Sequence, residues 1–197
     1  MIKKIFFTIL ISTIAWSTWA KTWLDEAVSA EIRGDFAQVI KILQPAAEKG
    51  DPDAMYLLGV AYDKGEGVPQ DYVAAVYWHT LSAIRGNEIA QHNLGSYHQR
   101  GIGTPQSYLE AIKWYRLSAR QGFSASQSNL GVLYANGYGV PQDYVKAHMW
   151  LNLASARGDK EAEKIRDTVA RRMPPEQILE AQKMARDCLA RKYKDCD

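Results

Sequence analysis

Trp78, Trp114 and Trp150 stand 36 residues apart, and most of the chain keeps step with them. Tyr72, Tyr108 and Tyr144 make a second ladder, Leu58, Leu94 and Leu130 a third, and Pro69, Pro105 and Pro141 a fourth. Glycine is the sharpest test of the period. The columns Gly59/Gly95/Gly131, Gly65/Gly101/Gly137, Gly67/Gly103/Gly139 and Gly50/Gly86/Gly122/Gly158 hold 13 of the 14 glycines, leaving only Gly34. A fixed period of this length specifies supersecondary units that bury their apolar faces against their neighbours, and so a stacked solenoid instead of one closed globule.

The first residues read differently. Lys3 and Lys4 form a basic start, residues 5–16 are apolar, and Thr18-Trp19-Ala20 places small residues where a signal peptidase reads. This is the pattern of a secretory signal cleaved after Ala20. The apolar stretch falls short of the roughly 20 residues a bilayer span needs, which favours cleavage over an uncleaved anchor. No second apolar span follows, so no membrane span is expected after cleavage. Cleavage removes two of the 24 basic residues and leaves them equal in number to the 22 acidic ones. With no Lys/Arg run to neutralise a phosphate backbone, nucleic acid is not an expected partner.

Each repeat divides into two helical patterns. The first runs near Pro52–Lys64 in repeat one, with Asp51 as its cap and Pro52 at its first position. Ala54, Leu58, Ala61 and Tyr62 share one face. Gly59 lies inside this helix, where glycine costs about 0.8–1 kcal/mol against alanine. Its recurrence at Gly95 and Gly131 predicts close approach of a neighbouring helix. Gly65-Glu66-Gly67, Gly101-Ile102-Gly103 and Gly137-Tyr138-Gly139 read as helix ends, with glycine taking a positive φ. The second helix spans about residues 71–85, begun by Asp71, Ser107 or Asp143 in the three repeats. Its tryptophans are read as buried wedges between hairpins, and Trp114, in the central repeat, as the costliest to lose.

The pattern Ala54-x3-Leu58-Gly59-x2-Tyr62-x2-Gly65-x-Gly67-Val68-x2-Asp71-x3-Ala75-x2-Trp78 resembles the Sel1-like repeat, a relative of the tetratricopeptide repeat. Repeat two departs from it at His98, Thr104 and Ser107. The resemblance implies an all-α fold: a right-handed α/α solenoid of helical hairpins with a C-terminal helical cap. The expected organisation is a signal at 1–20, a partial repeat at 21–50, three repeats at 51–86, 87–122 and 123–158, and capping helices at 159–197. Residues 34–50 read as the second helix of the partial repeat, which Pro45 is expected to kink or end early. Residues 159–197 are read as leaving the period, with Met173-Pro174-Pro175 separating two helices.

Signs of chemistry are few. The four histidines, His79, His92, His98 and His148, have no ligand spacing to one another or to cysteine, so no metal site and no cofactor are expected. Neither an S-x-x-K nor a G-x-S-x-G pattern occurs. Some cysteine-rich members of the resembled family are described as β-lactamases. They carry a cysteine pair in each repeat, and this chain has none, so that activity is not carried over. Cys188 and Cys196 are the only cysteines. On one unbroken helix they would lie about 12 Å apart, against the roughly 4.4–6.8 Å between Cα atoms that a disulfide needs. A bridge requires the chain to leave the helix near Lys192 and fold back. In an exported chain the bridge is favoured over a buried free Cys188.

The resemblance implies that the first helix of each hairpin lines a concave surface that receives a protein or peptide. Carried over by position, the stacked sets are Tyr56/His92/Ser128, Leu57/Asn93/Asn129 and Lys64/Arg100/Asn136. The candidate partner-binding residues are Tyr56, Lys64, His92, Asn93, Arg100, Asn129 and Asn136, with solvated helix residues as the plain alternative for the asparagines. The expected function is a monomeric, periplasmic or secreted interaction module. The alternatives are an envelope-associated hydrolase, β-lactamase-like or acting on muropeptides, and a cell-envelope assembly or structural factor.

Overall fold

The computed structural model describes residues 22–194 and 196; the signal expected at 1–20 lies outside the described residues. Among them it holds ten helices and no strand: α1 (Thr22–Ile32), α2 (Phe36–Glu48), α3 (Pro52–Lys64), α4 (Tyr72–Ile84), α5 (Glu88–Arg100), α6 (Tyr108–Ala119), α7 (Ser124–Asn136), α8 (Tyr144–Ala156), α9 (Lys160–Ala170) and α10 (Pro175–Ala190). The fold is all-α and built of repeated helical hairpins. Contacts divide the chain into two compact units, one ending at Trp78 and one beginning at His79.

In the first unit α2 packs on both α1 and α3. Its core is Ala27, Ala30, Val39, Leu43, Ala47, Ala54, Met55, Leu57 and Leu58. Three aspartates start three helices: Asp35 accepts from Gln38 N at 3.0 Å, Asp51 from Ala54 N at 3.1 Å and Asp71 from Ala74 N at 3.0 Å. Each satisfies a backbone donor that has no partner within its helix. Pro45 does not end α2 early: the helix runs on to Glu48, and Lys49 N bonds the Pro45 carbonyl. The one donor that proline removes would point at Lys41 on an exposed face, while Ala46 and Ala47 anchor the last turn in the core. Helix α2 also begins 36 residues before α4, so the partial repeat keeps the register of the others.

One loop design joins the first helix of a repeat to the second. Gly65 closes α3 in the left-handed region, at φ 71°, and Gly101 and Gly137 do the same for α5 and α7. The loop is then tied by Asp71 N to the Tyr62 carbonyl, Ser107 N to that of His98 and Asp143 N to that of Tyr134. A glutamine column adds a second tie. Gln70 Nε2 donates to the Asp63 carbonyl at 2.7 Å, Gln106 to that of Gln99 at 2.9 Å and Gln142 to that of Ala135 at 2.8 Å.

In the second unit α5 packs on α6, α6 on α7, α7 on α8, and both α9 and α10 on α8. The interior glycines act as the period predicts. A Cβ at Gly95 would stand 2.5 Å from the Tyr115 ring, and one at Gly131 2.5 Å from Leu151 Cγ. The tryptophans are not equivalent, which corrects the reading of all three as buried wedges. Trp150 is 0% exposed and shares its cluster with Ala162, Val169, Ala181 and Ala185 of α9 and α10. Trp78 and Trp114 are half-buried. The terminal helices supply the cover that seals Trp150.

The step of 36 also persists further than the sequence suggested. Asp159 caps α9 by accepting from Glu161 N and Ala162 N, 36 residues after Phe123 at the start of α7. Helix α10 leaves the register. Pro175 opens it, and it ends at Ala190. Lys192 and Tyr193 then turn the chain back through positive φ, and Cys188 and Cys196 are disulfide-bonded with 4.9 Å between Cα atoms. The returning Tyr193 settles against Gly122, where a Cβ would stand 3.0 Å from its ring, and Arg157 Nη1 donates to its hydroxyl at 3.2 Å.

Candidate interaction surface

The candidate residues lie on α3, α5 and α7, the first helices of the three repeats. On α3, Tyr56 is half-buried, its hydroxyl pKa raised by burial, and Lys64 is exposed. Leu57, at the position of Asn93 and Asn129, is 1% exposed and belongs to the core of the first unit. That column therefore does not form a continuous polar row.

On α5 and α7 the side chains sort into two groups. His92 enters a hydrogen-bonded chain among three helices. Its Nδ1 meets Ser126 Oγ at 2.9 Å, Ser126 donates to Ser118 Oγ at 2.8 Å, and Ser118 donates to the Glu88 carbonyl at 2.8 Å. Each serine has one proton to give, so this chain assigns the Nδ1 proton to His92. The ring packs near Tyr115 and Phe123, and burial pushes its pKa down to about 4. His92 is thus a neutral, positioned histidine that ties α5 to α7. Ser126 is fully buried with its proton committed, so the pair has no activated nucleophile.

The second group gathers at Tyr115. Passing over Gly95 from α6, this side chain is 1% exposed and donates to Gln99 Oε1 at 2.9 Å. Burial pushes its pKa up to about 12, opposed by side-chain hydrogen bonds with Ser96 and Asn129 and by the charge of Arg100. Three α5 residues and one α7 residue therefore converge on one phenol. Of the candidates, Arg100 and Asn129 are brought together here. Asn93 is half-buried on α5. Asn136 turns its amide back to the Val132 carbonyl of its own helix at 2.8 Å. Sequence reasoning missed Tyr115, Ser96 and Gln99. The signal was the glycine column, which at Gly95 and Gly131 admits the large side chains of Tyr115 and Leu151.

The constellation offers fixed amides, hydroxyls and one guanidinium, a set suited to holding a polar group by hydrogen bonds. Among the described residues no three His, Cys, Asp or Glu side chains gather in a metal-holding group. No described helix is long and apolar enough to cross a membrane.

The Sel1 repeat matches this chain three times, at residues 52–87, 89–123 and 124–159. The chain belongs to the Sel1 repeat family. Members of this family generally mediate protein–protein interactions and are typically non-catalytic. Among solved structures, the Sel1 chain is similar to a Sel1 repeat protein from Oxalobacter formigenes, at 26% identity and a TM-score of 0.68, over 83% of this chain and 74% of that one. It is also similar to a protective antigen present in uropathogenic Escherichia coli strains that displays an SLR fold. There the identity is 26% and the TM-score 0.60, over 80% of this chain and 42% of the antigen. Comparison with curated proteins gave no match.

Proposed function

We propose that this Sel1 repeat protein is an exported, monomeric interaction module that binds a protein or peptide along the first helices of its hairpins. The observation that carries the reading is the convergence of Ser96, Gln99, Arg100 and Asn129 on Tyr115. A core would fill this position with an apolar side chain, as Leu151 does in the next repeat. Here a buried phenol orders amides and a cation instead, at the cost of desolvating polar groups. Such pre-oriented groups can meet a partner's backbone amides or a carboxylate, with the guanidinium engaging the latter in bidentate fashion. Asn93, His92 and Asn136 flank the constellation along α5 and α7; Tyr56 and Lys64 are the candidates on α3, in the first unit. The disulfide, the Lys3-Lys4 start and the apolar run after it support export to the periplasm or beyond.

Crosslinking in the periplasm identifies the partner, and calorimetry with the Asn93→Ala/Asn129→Ala pair then tests the surface. Binding is expected to weaken with the melting temperature nearly unchanged. Adding Arg100→Glu is expected to weaken it further and to reduce its salt dependence, because a long-range attraction is lost. Normal binding by the double variant would move recognition away from this surface.

A further inference from the structure

In the first unit two carboxylate side chains, Glu31 and Glu66, line one cavity. The middle residue of the glycine-x-glycine loop is Ile102 or Tyr138 in repeats two and three, but Glu66 in repeat one. That loop is pressed onto the start of α2, so closely that a Cβ at Gly67 would collide with the Phe36 carbonyl. Glu66 is thereby held over a small cavity that it lines with Glu31, Phe36, Val39, Leu43, Leu57 and Ala61. Its Oε2 is buried with no hydrogen-bond partner. Glu31 stands in the last turn of α1, where the helix dipole disfavours a negative charge. The charged groups acting on its carboxyl are Glu66 and, in the opposite sense, Lys64 at the end of α3. From α2 the cavity receives only apolar side chains.

Two carboxylates beside an apolar cavity resist being charged together, whereas one shared proton replaces their repulsion with a charge-assisted hydrogen bond. We infer that Glu31 and Glu66 form an acid-closed clasp that holds the α1–α2 hairpin against α3 and the loop that follows it. Burial, and then Glu66, raise the pKa of Glu31. A raised carboxyl pKa in the closed state gives a contribution that is complete below the ordinary carboxylate range and is lost as pH rises through the raised value. The clasp therefore tightens in acid and slackens toward neutrality. It requires nothing of the Tyr115 constellation, so it stands independently of the proposed binding function.

The test is hydrogen exchange followed by mass spectrometry on the full-length oxidised chain, at about pH 4.5 and about pH 7, corrected for the intrinsic rate. Amides of α1 and α2 are expected to exchange severalfold more slowly in acid. Glu66→Gln removes the like charge and supplies an amide donor, so it is expected to bring the neutral-pH protection up to the acid level and flatten the profile. Glu31→Gln is expected to flatten it as well. A wild-type profile without acid slowing overturns the inference, as does a Glu66→Gln or Glu31→Gln profile that keeps the wild-type dependence.

Discussion

The Tyr115 ring lies across Gly95, with two of its carbons 2.5 Å from where a Cβ would stand. This contact links the repeat's geometry to its candidate surface, because the glycine both lets α6 approach α5 and lets the phenol through to the polar side chains beyond.

Gly95→Ala puts two effects in opposition. Helix propensity favours alanine by about 0.8–1 kcal/mol, while overpacking costs typically about 1–3 kcal/mol. The ring is enclosed and cannot swing aside, so net destabilisation is expected. Denaturant melts decide it, and a variant more stable than wild type would show that the close approach is not maintained in solution.

Trp150→Ala is expected to cost about 3–5 kcal/mol, the range for emptying a buried aromatic site, and Trp114→Ala clearly less. Trp150 is sealed by α9 and α10, whereas Trp114 is half-buried. Equal losses in parallel melts would contradict this difference in burial.

The second unit should weaken in acid. Burial lowers the pKa of His79 to about 3 and that of His92 to about 4. It also lowers that of His148, with Arg166 adding to the effect and Asp167 opposing it. Depressed histidine values contribute stability that is present above the unfolded pKa of about 6.5 and is lost as pH falls toward the folded values. Amide protection in α5–α8 is expected to decline from about pH 7 to about pH 5, opposite in sign to the clasp at Glu31. A flat or rising profile would mean these rings are accessible when neutral.

The Cys188–Cys196 bridge closes a short loop worth about 2–3 kcal/mol in the chain-entropy model. Protein made in the periplasm should show no reactive thiol until reduced, and reduction should lower its melting point. Loss of the bridge should also release Tyr193 from Gly122 and Arg157, which tyrosine ring resonances in NMR spectra would report. Two titratable thiols in the folded oxidised protein would exclude the bridge.

The elements of this fold were legible where local chemistry sets them. The caps at Asp51, Asp71, Ser107 and Asp143, the turn glycines and the place where the chain must leave α10 each follow from a few neighbouring residues. The column Gln70/Gln106/Gln142 was also in plain view, but the carbonyl it binds seven residues back appears only once the loop has closed. Burial of the tryptophans was not legible, because it depends on where α9 and α10 settle. The polar constellation was half legible. Position along α5 and α7 located Arg100 and Asn129, but nothing in their spacing shows that a tyrosine from α6 would order them.

The cap of α9 stands where that of α7 stood one period earlier, and Gly158 precedes it as Gly122 precedes Phe123. Joining residue 122 to residue 159 would thus set one cap in place of the other and leave the final hairpin its usual entry. A coding segment of one period can be lost or copied at this seam without a new frame of contacts having to be invented.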